Sequence, residues 1–123
     1  MMVKILGLAA ALVLATAAPA LAQSACMEPI APAAINGAAA TSAQMKSAHD
    51  DVLTFIKQSD DYQVCLYREL NDAKAAALKD KKVVDPSLEA AVNSKVQENQ
   101  GLKEKVGGEF NAAVAAYKAA HPS

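Results

Sequence analysis

From Thr41 to Tyr117 the apolar and small residues recur at steps of three and four, with one interruption. The first series runs Met45, Ala48, Val52, Phe55, Ser59, Tyr62, Leu66, Leu70, Ala73 and Ala77. Such steps keep successive side chains on one face of a helix. No proline or glycine falls between Thr41 and Val84, and Thr41 or Ser42 can cap the start. The second series runs Leu88, Val92, Lys95 with Val96, Asn99, Leu102, Val106, Phe110, Ala113 and Tyr117. It opens on Asp85-Pro86, a good N-cap followed by a proline at the first helical position, and it closes before Pro122. The pattern predicts two helices, about 42–80 and 86–120, within a unit spanning 41–121.

The connection from Lys79 to Val84 is short, so the helices should pack as an antiparallel hairpin. Folding the chain about it brings Phe55 to Phe110, Val52 to Ala113 and Val114, Leu66 to Asn99 and Leu102, and Ala73 to Val92. Asn99 on the buried stripe suits a polar contact that fixes register, or else an exposed stripe edge. Two spots weaken the continuity. Ser59 can cap a new helix running into Asp60-Asp61, and Gly107-Gly108 costs roughly 1 kcal/mol per glycine relative to alanine. If both helices break there, the product is a compact four-helix bundle. Continuous helices are the expectation, the glycines allowing close approach of the two backbones.

Ahead of the helices the pattern changes. Residues 23–40 are rich in alanine and proline, and the apolar Met27, Ile30 and Ile35 stand among Pro29 and Pro32. Earlier still, a short basic start at Met1–Lys4 precedes an uncharged apolar run, Ile5–Ala18, then Pro19 and the small-x-small triplet Ala20-Leu21-Ala22. These parts in this order predict a secretory signal over 1–22, cleaved between Ala22 and Gln23. The run is shorter than the roughly 20 residues of a membrane span. A lipid-anchored reading would acylate Cys26, but Gln23 stands where a leucine or similar residue belongs. The expected location is therefore the periplasm or the medium, with no membrane span after cleavage.

Export changes the meaning of the two cysteines. In an oxidising compartment Cys26 and Cys65 most simply pair with each other. Two free thiols, or half of a metal site, are the alternatives. No CxxC occurs, and His49 and His121 have no ligand-like spacing to a cysteine. Cys65 lies roughly 34 Å along the first helix at 1.5 Å per residue. The intervening segment, in polyproline form, reaches roughly 47 Å at 3.1 Å per residue. It can thus run back beside the helix as a strap, with Met27, Ile30 and Ile35 as its apolar contacts. Turning 100° per residue from Leu66 places Cys65 on one flank. The opposite flank carries Leu53, Ile56, Tyr67 and Leu78, a candidate interaction face for a second copy or a periplasmic protein partner.

Composition narrows the partners. The chain has 12 basic and 13 acidic residues; losing Lys4 leaves 11 basic, a net charge of −2. That balance disfavours nucleic acid and a polybasic membrane grip. With no tryptophan, two phenylalanines and three tyrosines, the chain favours thin helical packing over a thick core.

Candidate chemistry is sparse. His49-Asp50-Asp51 sets an imidazole beside two carboxylates, but consecutive helical positions point apart. Met45 and His49, four residues apart, could share a soft metal with Met27. Asp60-Asp61 and Glu69 with Asp72 lack a calcium-binding loop. No phosphate loop, nucleophile elbow or zinc-protease motif occurs. No cofactor is expected.

The export signal, Cys26, Pro29 and Pro32, then Met45, Val52 and Phe55, and Tyr62, Cys65 and Leu66 in "YQVCL", resemble a group of small exported proteins of Gram-negative bacteria, chiefly proteobacteria. The resemblance covers about 40 residues and implies a periplasmic or secreted location with no known activity. "CLYRELNDAKAAAL" and "FNAAVAAYKAA" also resemble exported lysozyme-inhibitor-type proteins, which usually carry further cysteines. The expectation is a non-catalytic interaction or structural protein. An inhibitor or binding module for an envelope enzyme such as lysozyme, and a weak metal carrier, are the alternatives.

Overall fold

The structure, a computed structural model, describes residues 25–123. The expected signal segment and its cleavage point at Ala22 and Gln23 lie outside them. Two antiparallel helices, α1 (Ser42–Lys79) and α2 (Pro86–Ala120), make up the fold, and no strand occurs among the described residues.

Local chemistry sets the helix ends. At the start of α1 the Gln44 backbone N–H donates to Thr41 Oγ1 at 3.1 Å, and the Thr41 N–H donates to Gln44 Oε1 at 2.8 Å. Two otherwise unpaired donors are thereby satisfied at once. At its end Lys81 takes φ 52°, and the Lys82 N–H donates to the Ala77 carbonyl at 2.8 Å. That left-handed residue satisfies the last carbonyls and turns the chain. At α2 the Ser87 N–H donates to Asp85 Oδ1 at 2.9 Å and holds the Asp85 carboxyl below its ordinary pKa.

The seam between the helices holds three apolar clusters. Nearest the interhelix loop are Tyr62, Leu66, Leu70 and Val92, with Val96 and Cys26 against them. In the middle are Val52, Phe55 and Val106, joined by Leu102, Phe110 and Ala31. At the far end are Ala40, Met45 and Ala113, joined by Ile35, Val114 and Tyr117. The expected meeting of Phe55 with Phe110 is present. Leu66, however, packs with Val92 and Val96 rather than Leu102, a small shift of register toward the loop.

Both helices run unbroken through the two weak spots, so the four-helix alternative fails. Ser59 caps nothing; its side chain lies in the seam. The glycines are not there for close approach, because a Cβ on Gly107 or Gly108 would meet nothing within 4 Å. They persist inside α2 because Val106 and Phe110 on either side are anchored in the core.

Ahead of α1 the chain runs back along the hairpin and is tied to it by the Cys26–Cys65 disulfide, Cα–Cα 5.7 Å. Cys26 stands beside Cys65, and Ala31 packs at the level of Phe55. Ten helical residues, about 15 Å, are thus matched by five strap residues, about 3 Å each, which is the polyproline rise. Burial follows the same three-residue repeat. Cys26, Pro29, Pro32 and Ile35 turn toward the helices, whereas Met27, Ile30, Ala33 and Asn36 face solvent. Met27 is 88% exposed and Ile30 is 91% exposed, which corrects their expected role as apolar contacts; of that trio only Ile35 packs. The disulfide sets the phase: with Cys26 inward, three residues per turn force Met27 and Ile30 outward.

The strap ends in a tight elbow. The Ala39 N–H donates to the Asn36 carbonyl at 3.2 Å and the Ala40 N–H to the Gly37 carbonyl at 3.4 Å. Gly37 is buried, and a Cβ there would overlap the backbone carbonyl of Ala113 in α2.

Candidate functional site: the two flanks of the hairpin

The first flank lies under the strap. At its tip the Ala25 N–H donates to Glu69 Oε1 at 2.8 Å, one helical turn from the disulfide. Tyr62 lies in the same region. Burial, then the nearby charges of Glu28, Glu98 and Glu69, push its phenol above the ordinary value. At the elbow a cleft of about 620 Å³ opens between strap and helices, floored by Val52, Val106 and Phe110 and edged by Asp51 and Glu109.

Between the clusters nearest the loop and in the middle lies a polar layer. Ser59 and Asn99 are both fully buried. Asn99 Nδ2 donates to Ser59 Oγ at 3.2 Å, and Gln63 Nε2 donates to Asn99 Oδ1 at 2.8 Å. No buried side-chain polar atom among the described residues lacks a partner. Asn99 is therefore the buried contact that the stripe allowed, not an exposed edge. A slip of either helix would break this layer inside an apolar seam, which penalises other registers.

The second flank is open. Leu53 is 52% exposed, Tyr67 44% and Leu78 76%. Ile56, expected beside them, is instead partly buried against Val52, Phe55 and Val106. Leu53, Tyr67 and Leu78 fall within about 40° of one another around the helix and so share one side of α1. Between these residues on the same side stand members of two cross-helix pairs. Lys103 Nζ donates to Asp60 Oδ1, and Lys74 Nζ lies 3.4 Å from Glu89 Oε1.

The candidate metal residues do not converge. Met45 is buried at the elbow end, whereas Met27 stands near Cys65, some twenty helical residues or about 30 Å away. His49 packs on Phe110, ring centroids 5.8 Å apart, and its Nδ1 is 3.5 Å from Asp50 Oδ1. Asp61 is paired with Lys57 at 2.9 Å. Cys26, Cys65 and Glu69 do come together, but both sulfurs are in the disulfide. Among the described residues no helix is long and apolar enough to cross a membrane.

Sequence reasoning passed over three participants: Gln63 in the polar layer, Gly37 at the elbow and Ala31 in the middle cluster. Gln63 was legible in principle, four residues on from Ser59 and on the same face. No protein-family model, curated protein or solved structure matches this chain.

Proposed function

We propose that this is a non-catalytic interaction protein of an oxidising, extracytoplasmic compartment, and that it docks a helical partner on the open flank of α1. The observation that carries the reading is the set of exposed apolar side chains Leu53, Tyr67 and Leu78 on one side of α1. Its neighbouring charges are already paired across the helices at Asp60–Lys103 and Lys74–Glu89. Exposed apolar side chains interspersed with neutralised polar groups suit a helix–helix contact. The first partner to test is a second copy of the chain. The compartment rests on the Cys26–Cys65 disulfide together with the N-terminal signal pattern and the resemblance to exported proteins.

The double change Leu53→Asp, Tyr67→Asp tests the docking face. Helix content by circular dichroism should stay unchanged, while association measured by sedimentation is lost. If the unmodified protein sediments as a monomer at high concentration and crosslinks to no periplasmic protein in situ, the reading fails.

A further inference from the structure

The strap and the groove beneath it share a repeat. One polyproline turn of three residues rises about 9 Å, the rise of about six residues of an α-helix. The inward residues of the strap accordingly meet α1 at regular levels. Cys26 bonds Cys65, Pro29 shares a cleft with Gln58, Pro32 shares the elbow cleft with Val52, and Ile35 packs in the cluster of Met45. A segment with another spacing would drift out of step within two turns. The pattern C-x-x-P-x-x-P-x-x-I occurs once in the chain, at residues 26–35.

The hold on this segment is uneven. At the elbow it is anchored by Ile35, by Ala40 and by Gly37 against the Ala113 backbone. At the tip the two largest side chains, Met27 and Ile30, face solvent, so the apolar contacts come from Pro29, Ala31 and Pro32. The covalent bond and the Ala25 N–H bond to Glu69 Oε1 therefore do much of the holding at the tip. Opening it leaves the elbow as a hinge and uncovers an edge of the seam beside Tyr62 and Phe55, which Cys26 and Ala31 otherwise cover.

We propose that this groove is a recognition groove for an extended, proline-spaced segment, and that once Cys26–Cys65 is opened it accepts residues 26–32 of a second copy. The exchange is chemically balanced with a low-molecular-weight thiol and its disulfide. Two thiols reduce Cys26–Cys65 to two cysteine thiols and are themselves joined as a disulfide. On reoxidation the Cys26 thiolate attacks that small disulfide, forming a mixed disulfide and expelling one thiolate. The Cys65 thiolate of the second copy then attacks the Cys26 sulfur, forms the interchain bond and expels the other thiolate. The two cysteine protons pass to the expelled thiolates. Exchange of an identical element between copies is a low-cost route to a dimer, because each contact is already present within one chain. This inference is independent of the open flank, which lies on the other side of α1.

The test uses two full-length chains, Cys65→Ser and Cys26→Ser, one lengthened by a tag, mixed in equal amounts in a glutathione redox buffer. Neither can close its own disulfide. Pairing without recognition gives the Cys26–Cys65 heterodimer in an amount equal to the two homodimers together. Recognition should give it in roughly tenfold excess on a non-reducing gel, the ratio that about 1.4 kcal/mol provides. Adding Pro29→Asp and Ala31→Asp to the chain that bears Cys26 should return the ratio to the statistical one. An excess that survives those changes, or no excess at all from chains with intact helix content, overturns the proposal. Should the single-cysteine chains fail to fold, heavy- and light-isotope copies of the unmodified chain are cycled together through the same buffer. Peptides joining a heavy Cys26 to a light Cys65 are then expected, and their absence is equally decisive against it.

Discussion

The two flanks of α1 differ in side-chain type and in whether the strap runs along them. The flank that the strap follows carries Gln44, Ala48, Asp51, Gln58 and Cys65, mostly small or polar, and Gln44, Asp51 and Gln58 stay exposed beside it. The flank left open carries Leu53, Tyr67 and Leu78. Hydrophobicity did not choose which side the strap would take. A single covalent contact at Cys65 did, together with an elbow that fits only a residue without a Cβ. The comparison teaches that in a thin two-helix domain cover is assigned by tethering, and that the apolar surface left over is free for another use.

The strongest way to break the comparison is to cut the tether. Replacing Cys65 by Ala removes a closed loop of 39 residues and should lower stability by about 4 kcal/mol on the chain-entropy model. Urea denaturation measures the loss, and helix content in the absence of denaturant should persist, because the seam of α1 and α2 is untouched. A loss below about 1 kcal/mol would mean that packing rather than the disulfide holds the strap.

Next in size is the elbow. Gly37→Ala sets a methyl group against the Ala113 carbonyl, so either the strap or α2 must shift. The expected cost is about 2 kcal/mol, within the range for overpacking. The same change in a Cys65→Ala background should cost less, since a strap free at its tip can move away. Full additivity of the two losses would show that elbow and tip act independently.

Those two sites also mark where sequence reasoning reached and where it stopped. The helices were legible to within a residue, because a stripe at steps of three and four and a cap at Thr41 or Asp85 are local properties. The cysteine pair was legible because two cysteines follow an export-type leader and the strap's reach exceeds the helical distance. The orientation of Met27 and Ile30 was not, although a three-residue repeat phased on Cys26 would have given it; they were read by hydrophobicity alone. Gly37 was beyond reach, since its need arises from the α2 backbone, which is distant in sequence. Ser59 illustrates a third case. Its side chain permits both a helix break and a buried polar contact, and only the partner Asn99, forty residues on, decides between them.

The smallest expected effect sharpens the comparison at the open flank. Gly107 and Gly108 are adjacent in α2, and a Cβ on either would meet nothing within 4 Å. Each change to Ala should therefore stabilise the folded chain by about 1 kcal/mol, through helix propensity alone. Their positions differ. Gly107 is seven residues on from Gln100, which accepts from Gln63 Nε2 at 3.3 Å, so it shares the α2 face that borders the open flank. Gly108 points a further 100° away and is exposed. If a helix docks against Leu53 and Tyr67, the space above Gly107 lies along its path, and Gly107→Ala should weaken association while raising the melting temperature. Gly108→Ala should raise the melting temperature equally and leave association as it was. Thermal denaturation and sedimentation of the two variants separate these outcomes. Equal effects of both changes on association would place any contact elsewhere on the molecule and leave the exposed apolar side chains of α1 without a partner helix on their α2 side.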